Sequence, residues 1–507
     1  MRRLVSLRAL SLARLIALAL ATLYVLVLPG TTLLRDLGDP AMEGPGIPRR
    51  ARALHRDLTP RFEAWARERV QTGAAASAPL HDVPTTEWPM FTAVFYLMAT
   101  EALAADPGSD PPLAYARSAV DAARDLILDP AHHAWVRTHW GEEYMHRENV
   151  FFRSLIIAGL TSHASLTGDA RSREVLRDQV ETLSADLDAS PLGLLHDYPG
   201  ECYPIDVLAA IGFVQRADAV LGTDHSAFIA RSLRAFEGER ADALGLVPFR
   251  VELPSGAEVQ PSRGIGTSWI LLFAPDLWPE RARDWYARYE ASFWQDRGWA
   301  AGFREYARGT DADWTFEVDA GPVLDGFGTS ASAFGVAAAR RNGRFDHAYA
   351  LSTELVAASW PLPDGTLALP RTFSHAADAP YLGESGILYF LTVQPAPGVP
   401  IVRGGRLSGL VYFGLFVYLV VGLLVLALLA REATRLLRSA EPVSIPAFGL
   451  ATLATLPALA LVLTGHAFTA ALAVLLAALV TLWRGSKRSR ASATVTEARP
   501  APAGSAR

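Results

Sequence analysis

An apolar, nearly uncharged helical segment recurs six times through the middle of this 507-residue chain. The segments begin near Glu87, Glu148, Tyr203, Gly266, Gly321 and Glu384, so successive starts are 61, 55, 63, 55 and 63 residues apart. Each follows a charged amphipathic stretch, at 52–71, 113–128, 170–187, 225–241, 279–294 and 345–359. A helix that is apolar all round must be buried, whereas a mixed one faces water. Six inner and six outer helices in strict alternation stack as repeated hairpins. An open solenoid would need a polar capping repeat at its end, and none follows the sixth pair. The expected fold is therefore all-α: an (α/α)6 toroid of six helical hairpins over 52–394.

The ends of the chain have a different character. Leu15 to Leu28 is an apolar run preceded by Arg2, Arg3, Arg8 and Arg14. It reads as a signal peptide or a first membrane helix, and the absence of a small-x-small cleavage site predicts an uncleaved anchor over 1–30. A linker, 31–51, leads to the helical repeat, and 395–406 leads away from it. Over 407–484, Leu407 to Ala430 is long enough to span a bilayer, and Val443 to Trp483 is about twice the ~20 residues one span needs. Split at Gly465-His466, that stretch gives spans near 445–464 and 467–483, four transmembrane helices in all. Arg2, Arg3 and Arg8, then Arg431, Arg435 and Arg438, then Arg484, Lys487, Arg488 and Arg490 fall on one side under the positive-inside rule. This predicts cytoplasmic termini, with the segment from about 31 to 405 extracytoplasmic, periplasmic or extracellular; Arg403 and Arg406 oppose it weakly. The tail, 485–507, is basic and then Ala/Pro/Ser/Thr-rich, and is expected to be disordered.

Lys487 is the only lysine and Cys202 the only cysteine. A Schiff base or a P-loop needs a lysine that the central segment lacks, so no pyridoxal chemistry is expected there. One thiol excludes an intrachain disulfide, a multi-thiolate zinc site and a dithiol redox pair. His132, His133 and His139 lack the spacing of a helical zinc site. Asp311-Ala-Asp313 with Glu317 and Asp319 lacks the EF-hand pattern and reads as a solvated loop. Gly264-Ile-Gly266 and Gly326-Phe-Gly328 have no preceding strand, so no dinucleotide fold follows. No metal and no cofactor is expected. A net charge of −5 with no basic groove argues against nucleic acid.

The third hairpin, Tyr198-Pro-Gly-Glu-Cys-Tyr-Pro-Ile-Asp206 running into Ala-Asp-Ala-Val-Leu-Gly-Thr-Asp224, resembles the cysteine-bearing helix start of linalool dehydratase/isomerase-type domains. The chain as a whole resembles the six-hairpin toroid superfamily, which also includes glycoside hydrolases, polysaccharide lyases and sugar epimerases. That resemblance implies that residues at and just before the inner-helix starts line one mouth of a funnel. The first hairpin then supplies Glu87 and Trp88, and the second Tyr144, His146, Glu148 and Asn149. The third supplies His196, Asp197, Tyr198, Glu201, Cys202, Tyr203 and Asp206. Arg263 and Trp269 come from the fourth, Trp314, Asp319 and Asp325 from the fifth, and Tyr381 and Glu384 from the sixth.

Carboxylates on opposite walls of a pocket suit acid/base chemistry, because their environments can separate two pKa values. The same carboxylates also serve as helix caps. Glu148 and Asp319, at the expected starts of inner helices two and five, stand opposite in a six-fold ring and are the expected base and acid. Cys202 at a helix head has an acidified thiol on this reading, with His196 or His146 to take its proton; the competing role is a small buried core residue. Dehydratase/isomerase enzymes use a pair of cysteines, and this chain has one. The mouth aromatics are either core or a platform for a sugar ring or terpenoid. Three functions remain open: an enzyme acting on an envelope glycan or glycolipid sugar as hydrolase, lyase or epimerase; a lyase acting on a lipophilic alcohol through Cys202; and a non-catalytic sugar- or lipid-binding membrane protein. The partners expected are a small-molecule or glycan substrate and the lipid bilayer.

Overall fold

The computed structural model describes residues 2–77, 83–108, 110–376 and 381–438. The expected third and fourth spans and the 485–507 tail lie outside the described residues. The chain divides into two units, Leu33–Tyr412 and a second made of the segments before and after it.

The larger unit is mainly helical, and its main helices fall into six pairs. The outer members are α1 (Arg49–Thr72), α3 (Leu113–Ile127), α5 (Ala170–Ala189), α7 (Ser226–Ser232), α9 (Pro279–Phe293) and α11 (Phe345–Ala358). The inner members are α2 (Trp88–Ala105), α4 (Val150–Thr167), α6 (Pro204–Leu221), α8 (Gly264–Ile270), α10 (Thr329–Arg341) and α12 (Leu382–Thr392). Local chemistry sets the ends. Proline opens α6 and α9, where its missing N–H costs nothing. Asp169 caps α5 by accepting from the Ser172 N–H at 2.8 Å. Left-handed Gly73, Gly168 and Gly222 close α1, α4 and α6.

Each inner helix packs on the next, α2 on α4, α4 on α6, α6 on α8, α8 on α10 and α10 on α12, and α12 packs back on α2. The outer helices cover them: α3 lies on α2 and α4, α5 on α4 and α6, α11 on α10, and α1 on α12. Close approach needs small residues, as at Gly159, where an added Cβ would lie 2.4 Å from Ile127 Cδ1. The stretches 31–51 and 395–406 are packed as well. Arg50 pairs with Asp36 in the interior, Arg340 donates to the Ala41 carbonyl, and Val402 donates to the Gly343 carbonyl.

Two hairpins depart from the expected pattern. In the fourth, Gly238 in the left-handed region and two 3-10 turns shorten the outer helix to seven residues. Strands β1 (Arg250–Glu252) and β2 (Ala257–Gln260) follow it as an antiparallel pair. In the fifth, the inner helix does not begin near Gly321 but at Thr329. The preceding residues form β3 (Trp294–Asp296) with β4 (Ala301–Phe303), and β5 (Trp314–Glu317), β6 (Gly321–Leu324) and β7 (Phe327–Gly328) in order β5-β6-β7. Trp-Thr-Phe-Glu alternates with period two, which suits a strand, and Gly321 at φ +66° takes the turn into β6. Asp319 therefore sits in a hairpin turn and not at a helix start.

Among the described residues, three helices are long and apolar enough to cross a membrane: Ser11–Leu37, Val150–Thr167 and Gly409–Arg438. Val150–Thr167 is α4, and most of it is buried inside the helical unit. Its Arg153 is fully covered and bonded to Gln179, Asp186 and Thr182 of α5. In the smaller unit, the helix that contains the first apolar run continues past residue 30. Its Gly30 abuts Leu419 and Tyr418, and Gly422 abuts Leu26 and Val27.

Candidate acid/base site

Glu87 immediately precedes α2, yet its side chain caps nothing there. Its Oε1 instead accepts the Tyr198 hydroxyl at 2.8 Å, across 111 residues of sequence. Burial, and then the charges of Asp319 and Asp206, raise its carboxyl to about 8 against the Tyr198 hydrogen bond, which lowers it. Asp206, in the first turn of α6, is partly exposed. Desolvation and then the Asp319 charge raise it to about 7, opposed by the Trp269 indole. Asp319 is exposed to solvent. Its pKa is raised by desolvation and Glu317, while Arg263 pulls it down. Glu87, Asp206 and Asp319 thus come from three hairpins and influence one another electrostatically.

Asp197 lies directly behind this group. It is fully buried, accepts the Tyr203 N–H at 2.7 Å, and is held well above the usual carboxylate range by burial and by Asp206. Arg263 borders the other side. Its Nε donates to buried Glu305 at 2.7 Å, its other arm pairs with Glu317 of β5, and its guanidinium covers the Phe249 ring at 4.5 Å. Burial raises Glu305 to about 7 despite that arginine. Arg263 thereby ties the β5–β6 hairpin to the start of α8. Aromatic rings cluster between the inner helices: Phe95 meets Phe91, Phe334, Tyr389 and Phe390, and Trp269 meets Phe334 and Phe273. Phe91 and Phe334 keep part of their surface exposed, as does Trp88 beside Glu87.

The other expected site residues have different engagements. The Glu148 carboxylate accepts both the backbone N–H and Nδ1 of His196 at 2.7 Å, clamping two inter-helix turns together. Among the described residues no hydrogen bond or ion pair joins it to Asp319. His146 pairs with Asp178 on outer helix α5, away from Cys202. Cys202 is not at a helix head: its carbonyl accepts from Val251 at 3.0 Å, and α6 begins two residues later. Burial and the charges of Asp197, Asp206 and Glu148 push its thiol up, opposite to the acidified nucleophile expected. Glu201 takes the Tyr203 hydroxyl at 2.7 Å. Asn149, in the left-handed region at φ +40°, precedes α4, and the Tyr144 hydroxyl bonds His133. Glu384 is buried against Arg61 at 3.1 Å, with Tyr381 under the same guanidinium. Asp325 faces Arg297, and Trp314 points into solvent.

Asp197 belongs to the expected mouth of the third hairpin, whereas Glu305 was not among the residues expected there. Glu305 had one sequence signal, an Arg-Glu pair directly after the apolar run Trp299–Phe303. No protein-family model matches the chain, and no curated protein sequence matches it.

Proposed function

We propose that this chain is a membrane-anchored enzyme whose helical unit is a closed six-hairpin toroid, using carboxylate acid/base chemistry on a sugar of an envelope glycan or glycolipid. The carrying observation is the hydrogen-bonded Glu87–Tyr198 pair with Asp206 and Asp319 close enough to raise its pKa. The return of α12 onto α2 supports the toroid. On this reading Glu87 keeps its proton at neutral pH and donates it to a leaving oxygen, because burial makes ionisation costly. Asp319, nearest to solvent and beside Arg263, ionises first and accepts a proton from substrate or water. Tyr198 holds the Glu87 carboxyl in one orientation, and Asp206 tunes both.

The aromatic cluster between the inner helices favours a substrate with an apolar part. This keeps a second reading in view, elimination of water from a lipophilic alcohol by the same carboxylates, with no role for Cys202. The basic residues Arg431, Arg435 and Arg438 at the end of the Gly409–Arg438 helix support an extracytoplasmic placement of the Leu33–Tyr412 unit under the positive-inside rule.

Full-length protein is incubated in heavy water with an envelope glycan and glycolipid fraction, and separately with long-chain allylic alcohols. Products are read by mass spectrometry. Cleavage, loss of water or carbon-bound deuterium that depends on the protein and disappears in Glu87→Gln and Asp319→Asn supports the proposal. Turnover unchanged in both variants refutes it.

A further inference from the structure

The β5–β6 hairpin has two faces of opposite chemistry. Residues directly paired across an antiparallel ladder share a face, so Thr315 with Val323 and Glu317 with Gly321 form one, and Trp314 with Leu324 and Phe316 with Pro322 form the other. The first face is turned inward: Val323 is buried and Glu317 is held by Arg263. The second is entirely apolar and open, with Trp314 74% and Phe316 69% exposed. Val318 in the turn and Leu324 extend it, each about half exposed. Scattered apolar side chains on a surface need no explanation, but a contiguous patch with an indole and a phenyl at its centre marks a contact surface.

The same patch runs toward the point where the chain leaves the unit. Leu324 pairs with Phe327 of β7, and the Phe327 ring meets Trp299 edge-on at 5.5 Å. Trp299, in the β3–β4 turn, is itself half exposed. Its carbonyl accepts the Leu410 N–H at 2.7 Å, and the Gly298 carbonyl accepts the Gly409 N–H at 2.8 Å. Gly409 and Leu410 open the Gly409–Arg438 helix, which is long and apolar enough to cross a membrane. Gly409 is pressed against the turn so closely that a Cβ would lie 3.0 Å from the Trp299 Cα. From Phe327 to Trp314 is two strand spacings, roughly 10 Å. Tryptophan and aromatic neighbours beside the first turn of a span are the composition of a membrane–water interface.

We infer that the outer face of the β5–β6 hairpin docks into the lipid bilayer that anchors the chain, with Trp314 and Phe316 as its interfacial anchors. The inference stands on surface chemistry and on continuity with the start of the span, and it is independent of the proposed reaction. Its consequence for the site is that the strand carrying Glu317, and the turn carrying Asp319, lie on the reverse of a lipid-facing surface.

The test uses the full chain in lipid nanodiscs with an environment-sensitive fluorophore on Phe316→Cys, and on Trp314→Cys as a second position. The native Cys202 is fully buried, and labelling of the unsubstituted protein gives the blank. Glu174→Cys on the exposed face of α5 is the reference. The hairpin labels are expected to emit blue-shifted relative to the reference and to lose emission when spin-labelled lipid is included. Emission and quenching equal to the reference at both positions would overturn the inference. So would a blue shift that lipid quenchers leave untouched and that depends on protein concentration, since that means a second copy covers the face.

Discussion

Replacing Glu87 by glutamine should make the protein more stable in alkaline solution and leave it unchanged in acid. The carboxyl rises from its ordinary 4.5 to about 8 on folding, chiefly through burial. Between those values the folded chain holds a proton that the unfolded chain has released. Stability therefore falls as pH rises through that window and is constant above it. At about 1.4 kcal/mol per pH unit, the Glu87 contribution amounts to about 5 kcal/mol of stability lost by pH 8. Glutamine stays neutral, fits the same space and still offers an oxygen to the Tyr198 hydroxyl. A unit of roughly 380 residues has an unfolding entropy of about 0.8 kcal/mol per degree, so the gain corresponds to a Tm about 6 °C higher. Melting curves of wild type and Glu87→Gln in the same detergent from pH 5 to pH 8.5 check this. The curves should coincide at pH 5 and diverge steadily. Parallel Tm profiles across the whole range would refute the placement of a protonated carboxyl at Glu87.

Cys202 is expected to resist maleimide in the folded protein and to react fully after denaturation, and Cys202→Ser to keep normal turnover; rapid native labelling would contradict its burial. Arg153→Met removes the bonds of a buried guanidinium to Gln179 and to the partly exposed Asp186 and is expected to cost about 2 kcal/mol, read as a lowered Tm. Gly264→Ala places a Cβ 2.0 Å from the Arg304 carbonyl oxygen and should abolish the folded state. Gly222→Ala, in open space at φ +71°, should cost only about 1 kcal/mol; circular dichroism and melting of the two side by side distinguish them.

The helical pairs were legible because burial leaves a signature along many consecutive turns. The segments starting at Trp88, Val150, Pro204 and Leu382 carry almost no charge over their length, and the structure makes them inner helices. The strands of the fifth hairpin were not legible, although its outer helix was. Its strand signal, Trp314-Thr315-Phe316-Glu317, is only four residues long and lies among aspartates that read as a solvated loop. Site chemistry was legible at the level of where carboxylates gather, since Glu87, Asp206, Asp319 and Arg263 do come near one another. What each carboxylate does was not, because partners arrive from distant turns. Glu148 is claimed by His196 and Glu87 by Tyr198, and neither pairing leaves a local pattern. Cys202 shows the same limit, since its thiol is governed by burial and then by the charges of Asp197, Asp206 and Glu148 more than by its place in the chain.

The central claim is that a buried carboxyl near the ends of α2 and α6 keeps its proton at neutral pH. Infrared difference spectra recorded through a pH titration of the full-length protein observe that proton through the carbonyl stretch of a protonated carboxyl. The account predicts a component of that band at pH 7 that titrates with a midpoint near 8 and is missing from Glu87→Gln, while the carboxyls of Asp197 and Glu305 keep theirs. Loss of every protonated-carboxyl band below about pH 6, or a component near 8 that survives the substitution unchanged, would contradict it.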